Sequence, residues 1–156
     1  MSVVSNKVGI GAQSLLDAAW DIRTSTSVPE AEEIVLKNGG VRIDATYLFA
    51  DMAHSSTLAQ LIKDEVAAKV FRVYLNAATQ LLLHRGGAIR SFDGDRVMAI
   101  FVGAEKNRAA VQAAMHIQWA VHRVLRPKLL AKWHDIGFFG SEGVCGPRLR
   151  AGALRT

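Results

Sequence analysis

The sequence holds a single cysteine, Cys145, in 156 residues. An internal disulfide is therefore excluded, and so is a cysteine-built metal cluster. Without a disulfide framework, a reduced, cytoplasmic setting is expected. Long apolar runs are lacking as well; Leu81-Leu82-Leu83 is typical of those present. A membrane-spanning helix needs roughly 20 apolar residues, so none is expected, and no membrane partner follows. Residues 1–11 lack a basic start followed by an apolar stretch, so no signal peptide is visible. Aromatic residues are few, at 7%, yet half of all residues are hydrophobic. That fraction excludes a disordered chain and suits one domain with a sizeable core.

The formal charge of +5 and the pI near 9.7 invite a nucleic-acid reading. The distribution argues against its simple form. Residues 1–125 carry 13 Lys/Arg against 12 Asp/Glu, whereas residues 126–156 carry 6 against 2. The body is nearly neutral, and a nucleic-acid partner would rest on the tail alone.

Residues 1–40 read as a lead-in. A short amphipathic helix is expected at 14–20 and a polar break at 24–29. A helical turn opens at Pro29 with acids near its positive end, and Asn38-Gly39-Gly40 signals a turn. Residues 41–51 alternate and then become solidly apolar, which predicts a central strand ending at Asp51. Ser55, Ser56 and Thr57 are good N-cap residues. Apolar residues from 58 to 84 recur at helical spacing, predicting one or two helices stopped by Gly86-Gly87. Residues 88–92 and 97–102 are β-prone and flank Asp93-Gly94-Asp95-Arg96, a hairpin signal. Residues 104–125 are helical again, with Val111, Met115, Ile117, Ala120, Val121 and Val124 expected inward and Pro127 disturbing the end. This order predicts an α+β sandwich with helices on one face of a mostly antiparallel sheet. The Gly-rich text at 137–146 and the stretch 147–156 show no periodicity.

Two acids carry the chemistry. Asp51 ends an apolar strand, and Asp95 sits at the tip of a hairpin whose strands can lie beside it. Carboxylates gathered at one sheet end repel unless a cation holds them. Hard divalent ions take one or two carboxylates and fill their remaining positions with water and substrate phosphates. The chain then runs from Asp51 through Met52, Ala53, His54, Ser55 and Ser56 into a helix start, whose N–H groups favour anions. On spacing alone Asp51 also reads as a strand-end residue and Asp95 as a turn residue, since Asp-Gly turns are common. His116 and His122, six residues apart, do not share a helix face and make no metal site. His54 reads either as a phosphate contact or as a loop residue without a role. Trp119 and Trp133 read as packing or dimer-face residues.

The segments Phe49-Ala50-Asp51-Met52 and Gly86-Gly87…Phe92-Asp93-Gly94-Asp95-Arg96-Val97-Met98-Ala99-Ile100-Phe101 resemble the class III nucleotide cyclases. Six residues separate Gly87 from Gly94-Asp95, as in that family. The likeness covers residues 41–126, and residues 109–120 with Gln118 look like the family's next helix. Asp21-Ile22-Arg23, Val28-Pro29-Glu30, the loop at 50–55 and the FDGDRVMA hairpin resemble the bacterial pyrimidine cyclases of the Pycsar antiphage system. The resemblance implies a ferredoxin-like sandwich and cyclisation of UTP or CTP to the 3′,5′-cyclic monophosphate with release of pyrophosphate. UTP is placed ahead of CTP, and Ser91, where adenine-specific members often carry Lys, speaks against ATP. The product would switch on a partner effector. Asp51 and Asp95, with the Met52 carbonyl, would hold two Mg²⁺ or Mn²⁺ ions that activate the ribose 3′-OH and bridge the triphosphate. Amides of Ala53, His54, Ser55 and Ser56 would take the phosphates. Arg96 would contact base or ribose, or else be a solvated hairpin charge. Tyr47 and Arg90 are weaker pocket candidates, and Tyr47 reads first as packing. A homodimer is implied, with each subunit giving half a site.

The resemblance also implies a further strand, a hairpin and a helix bearing an Asn and an Arg that act at the ribose and the transferring phosphate. Neither residue can be placed here. The expected domains are thus 1–40 as lead-in, 41–135 as the first half of a cyclase-homology domain, and 136–156 as a divergent basic tail. The tail's composition suits a truncated or frame-shifted product, and weak or absent turnover is expected. The rival readings are a non-catalytic nucleotide- or metal-binding remnant and a nucleic-acid binder.

Overall fold

The computed structural model describes residues 3–35, 38–133 and 147–154, the last stretch as backbone. The chain forms two compact units, Met1–Ile43 and Asp44–Thr156. In the first unit, helix α1 (Val3–Asp17) buries none of its residues. Strand β1 (Asp21–Ser25) pairs in parallel with β2 (Gly39–Ile43), and a 3-10 turn at Ala31–Glu33 lies between them. The helix expected at 14–20 thus begins far earlier and ends at Asp17. Gly9 and Gly11, each about 1 kcal/mol poorer than Ala in a helix, mask its first half in the sequence. The single strand expected over 41–51 is instead two strands, parted at Asp44.

The second unit opens with β3 (Ala45–Met52), followed by α2 (Ser55–Leu61), α3 (Asp64–His84), β4 (Ala88–Asp93) and β5 (Arg96–Val102). Next come α4 (Lys106–Ala120), a π-helical turn (Val121–Leu125), α5 (Arg126–Lys132) and β6 (Pro147–Leu154). The described strands of this unit are ordered β4-β5-β3-β6, and each neighbouring pair is antiparallel. The α+β sandwich is as expected. The strand at 147–154 is not legible in an aperiodic stretch; it pairs along the whole length of β3, from Ala45↔Leu154 to Met52↔Pro147. The Gly-rich stretch 137–146, with Cys145, lies outside the described residues.

Period-two burial sets the core. Leu48, Ala50 and Met52 of β3 and Val97, Ala99 and Phe101 of β5 turn to the helix layer and are buried. Tyr47, Phe49 and Asp51 fall on the opposite face. From the helices, Val70, Tyr74, Ala78 and Leu82 of α3 meet Ala110, Ala113 and Ile117 of α4 in one cluster. Asp64 and Glu65 in the first turn of α3 complement its positive end. Two expected inward residues of α4 are not inward: Val111 is 55% and Met115 65% exposed. The helix seats itself by its alanines, whose small side chains let it approach the sheet. Pro127 falls in the first turn of α5, where its missing N–H costs nothing. The preceding turn widens to π, and the Arg126 amide reaches back to the Val121 carbonyl.

Two polar contacts pin the start of α4 to the start of β3. Lys106 Nζ donates to Asp44 Oδ2 at 2.8 Å, and the buried Thr46 hydroxyl donates to Asn107 Oδ1. At the other end of the helix layer α3 stops in a Schellman motif. Gly86 N–H bonds the Leu83 carbonyl and Gly87 N–H the Leu82 carbonyl, both at 2.9 Å, with Gly86 at φ +79°. A Cβ on Gly87 would lie 2.7 Å from Cζ of the buried Phe101. Gly87→Ala should therefore cost about 1–3 kcal/mol by overpacking. Gly86→Ala meets nothing within 4 Å and should lose only the left-handed penalty of about 1–2 kcal/mol. Urea melts of both variants check this, and a Gly87→Ala variant as stable as wild type contradicts it.

Candidate active site

The residues singled out in the sequence fall on two neighbouring chain turns at one end of the sheet. Asp51 and Met52 are the last residues of β3; Ala53 and His54 make the turn after it; Ser55 and Ser56 open α2. Asp95 lies in the β4–β5 turn, and Arg96 begins β5. The antiparallel register brings these turns together. Ala50 pairs with Val97, so the next residues along each strand converge on the hairpin tip.

The hairpin differs in one detail from the Asp-Gly turn expected. Asp93 pairs with Arg96, which leaves Gly94 and Asp95 as the two loop residues. Gly94 has φ +60° and Asp95 does not share a positive φ, the pattern of a type II′ turn with glycine first. Asp95 is thereby carried toward β3, and its Oδ2 accepts a hydrogen bond from the Met52 backbone N–H at 3.2 Å. The carboxylate is half-buried and anchored next to Asp51, which is itself half-buried.

Arg96 is held by two weak contacts. Its guanidinium pairs with the Asp93 carboxylate and lies 5.9 Å from the centroid of the Phe49 ring. Its side chain is 43% exposed and that of Asp93 72%, so the pair contributes at most about 1 kcal/mol and leaves Arg96 able to reorient. Phe49 and Asp93 were not singled out in the sequence. The i,i+3 spacing of Asp93 and Arg96 was an available signal, whereas Phe49 becomes visible only through the strand register. Tyr47 shares the face of Phe49 and Asp51. Arg90 sits at the β4 irregularity between Ile89 and Ser91, and Ser91 pairs with Met98 on the exposed hairpin.

After Met52 the chain turns sharply. His54 adopts φ 58°, ψ 25°, the left-handed region, and its carbonyl accepts the Leu58 amide at 3.0 Å. His54 is the single described non-glycine residue with positive φ. Its side chain makes no cap to α2, so the conformation is imposed by the turn. Apolar grooves over the helix layer do not reach Asp51 or Asp95.

Among the described residues no cluster of three or more His, Cys, Asp and Glu side chains could hold a metal. The Asp51 and Asp95 carboxylates and the Met52 carbonyl offer oxygen donors only. That set fits a hard cation such as Mg²⁺ or Mn²⁺ and does not fit zinc, which favours nitrogen and sulfur. No helix among the described residues is long and apolar enough to cross a membrane.

No family model matches the chain. It is 38% identical over 133 residues to the uridylate cyclase of Rhodovulum sp. (strain MB263), covering 85% of this chain and 55% of that protein. It is 36% identical over 115 residues to the uridylate cyclase of Xanthomonas perforans, covering 73% and 50%. Among solved structures it is similar to the adenylyl cyclase CyaB from P. aeruginosa. That match has 25% identity, a TM-score of 0.52, and coverage of 70% of this chain and 54% of that one. A bacterial light-regulated adenylyl cyclase matches with a TM-score of 0.59 at 20% identity, covering 71% and 53%. The chain spans about half the length of the curated relatives it matches. An antiparallel sheet with helices on one face, an acid at the end of its central strand and a second at the adjoining hairpin tip thus occur in a chain that is similar to the uridylate cyclases over about half their length and has the fold of the class III nucleotide cyclase domains.

Proposed function

We propose that the chain belongs to a nucleotide cyclase that converts a pyrimidine nucleoside triphosphate, UTP ahead of CTP, to its 3′,5′-cyclic monophosphate and pyrophosphate. The hydrogen bond from Met52 N–H to Asp95 Oδ2 carries this reading, because it ties the second acid to the strand end that bears the first. Asp51, Asp95 and the Met52 carbonyl would hold two Mg²⁺ or Mn²⁺ ions. When bound, such ions lower the pKa of the attacking ribose hydroxyl and neutralise the triphosphate. The backbone of Ala53, His54, Ser55 and Ser56 would orient the phosphates. Arg96, freed from Asp93, would reach base or ribose from above Phe49. Ser91 stands where adenine-specific family members often carry Lys.

The same resemblance extends the proposal. The product would be a second messenger of antiphage defence, read by a cyclic-nucleotide-activated effector. The enzyme would work as a cytoplasmic homodimer, with residues 41–135 as the first half of its cyclase-homology domain. The Asn and Arg that would act on ribose and transferring phosphate are not placed in this chain. Catalysis depends on such positioned charge, so the 156-residue polypeptide should by itself turn over weakly or not at all. Incubation with UTP, CTP, ATP and GTP plus Mn²⁺ checks this, and robust cyclic nucleotide production would contradict it.

Binding separates the readings further. Calorimetric titration with a non-hydrolysable UTP analogue and Mn²⁺ should give saturable binding. Asp51→Ala and Asp95→Ala should each weaken it at least about tenfold, since loss of a metal's outer-shell partner alone costs 10–100-fold. Asp95→Asn retains an acceptor for the Met52 amide and should match wild-type stability within about 0.5 kcal/mol while still losing binding. Unchanged binding in all three variants would remove the metal-site assignment. Binding of single-stranded RNA or DNA with steep salt dependence, and no nucleotide binding, would replace the cyclase reading with the nucleic-acid one.

A further inference from the structure

Helices α3 and α5 leave a groove of about 560 Å³ between them. Val73 and Ala77 of α3, Leu125 of the π-helical turn, Leu129 of α5 and Trp133 give it an apolar floor. Its rim is basic. Lys69 and Arg72 stand on the α3 wall and Lys128 and Lys132 on the α5 wall, and all four are exposed. No carboxylate lines the groove, since α3 carries no acid after Glu65 and residues 121–133 carry none. Among the described residues none of the four cations makes an ion pair. Lys128 and Lys132 belong to the stretch that gives the sequence its basic character, so part of that charge has a definite place.

Charge and shape narrow what such a groove takes. Uncompensated cations around an apolar floor complement a ligand that is anionic along its edges and apolar down its middle. The wall from Lys69 to Gln80 runs about 16 Å, roughly three helical turns. An amphipathic helix with carboxylates flanking an apolar stripe has that form. A nucleic acid needs free aromatic faces for its bases. The aromatic residue of this groove, Trp133, packs against the core, and the Lys132 ammonium lies over its ring at 5.7 Å from the centroid. A bilayer surface would engage a protruding apolar face, not a concavity. Helix α5 has seven residues and buries none of them, so it has little of its own to hold it in place. A helix laid between α3 and α5 would cover Leu125 and Leu129 and fix that wall.

We propose that the α3–α5 groove is a docking site for a separate protein, which enters it with an acidic amphipathic helix of roughly three turns. The apolar stripe of that helix packs on Val73, Leu125 and Leu129. Its carboxylates face Lys69 and Arg72 on one side and Lys128 and Lys132 on the other. The rim charges speed encounter and select against basic partners, and the apolar floor supplies the holding energy. The groove does not include Asp51 or Asp95. The inference therefore rests on neither the metal-site assignment nor the cyclase reading.

The test is fluorescence anisotropy with the full 156-residue chain at about 0.15 M salt. The probe is a fluorescein-labelled synthetic helix of Leu, Ala and Glu, with leucines along one face and glutamates on both flanks. Saturable one-to-one binding is expected. The same peptide with Lys for Glu, or with its leucines scrambled off the face, should not bind. Lys128→Glu combined with Lys132→Glu should weaken binding at least about tenfold. Lys69→Glu combined with Arg72→Glu should do the same from the α3 wall, whatever the first pair does to α5. Val73→Arg adds an attractive charge but fills the groove, and should weaken binding at least about fivefold. Arg108→Glu, on α4 outside the groove, should change nothing. Thermal melts of all variants should match wild type, because these side chains are exposed. Absence of binding, or binding indifferent to both charge reversals, would overturn the proposal. So would tighter binding by Val73→Arg, which would mark attraction by charge alone. A single-stranded RNA oligonucleotide that binds in preference to the peptide and is lost with the same reversals would assign the groove to nucleic acid instead. Peptide binding that appears only after Phe138→Ser and Phe139→Ser would assign it to the chain's own residues 134–146.

Discussion

A slip of one residue between β3 and β5 would turn Leu48, Ala50 and Met52 out of the core and carry Asp51 into it. Because side chains alternate across a strand, the register that builds the core is also the register that places the acids. Six buried residues, three from each strand, enforce it against α3 and α4. The cost of exposing them is on the order of several kcal/mol, far more than two carboxylates at a sheet end could demand for themselves. The site inherits its precision from the hydrophobic core.

The hairpin turn converts that register into chemistry. A glycine at the first loop position lets the chain reverse in two residues, and the next residue is Asp95. The Met52 amide lies within reach because β3 ends at the level of the turn, and the hydrogen bond holds one carboxylate oxygen in place. Like charges gathered in this way cost energy unless a cation joins them. On the proposed reading a divalent ion would join the two carboxylates, and a triphosphate would supply its remaining oxygens.

Much of this is legible in the sequence. The alternation that predicts β3, the glycine pair that ends α3 and the hairpin between two β-prone runs all depend on local rules. So does the fold class, which follows from their order. What is not legible is tertiary. Val111 and Met115 continue an apolar helical pattern and read as inward, yet alanines form the contact face of α4 and leave them outside. The strand at 147–154 has no periodicity, because pairing along β3 and not its own pattern defines it. Phe49 and Asp93 enter the site through register and hairpin geometry. The two acids could be found by spacing, but spacing alone does not separate a metal ligand from a turn residue. The family's motif order, and then the Met52–Asp95 hydrogen bond, gave them a common place.

The most direct measurement of the central claim is paramagnetic broadening of the backbone amide spectrum by substoichiometric Mn²⁺ in the presence of a non-hydrolysable UTP analogue. The account predicts broadening confined to residues 51–56 and 93–96, the two turns joined at the sheet end. Broadening centred elsewhere, or none, would contradict it.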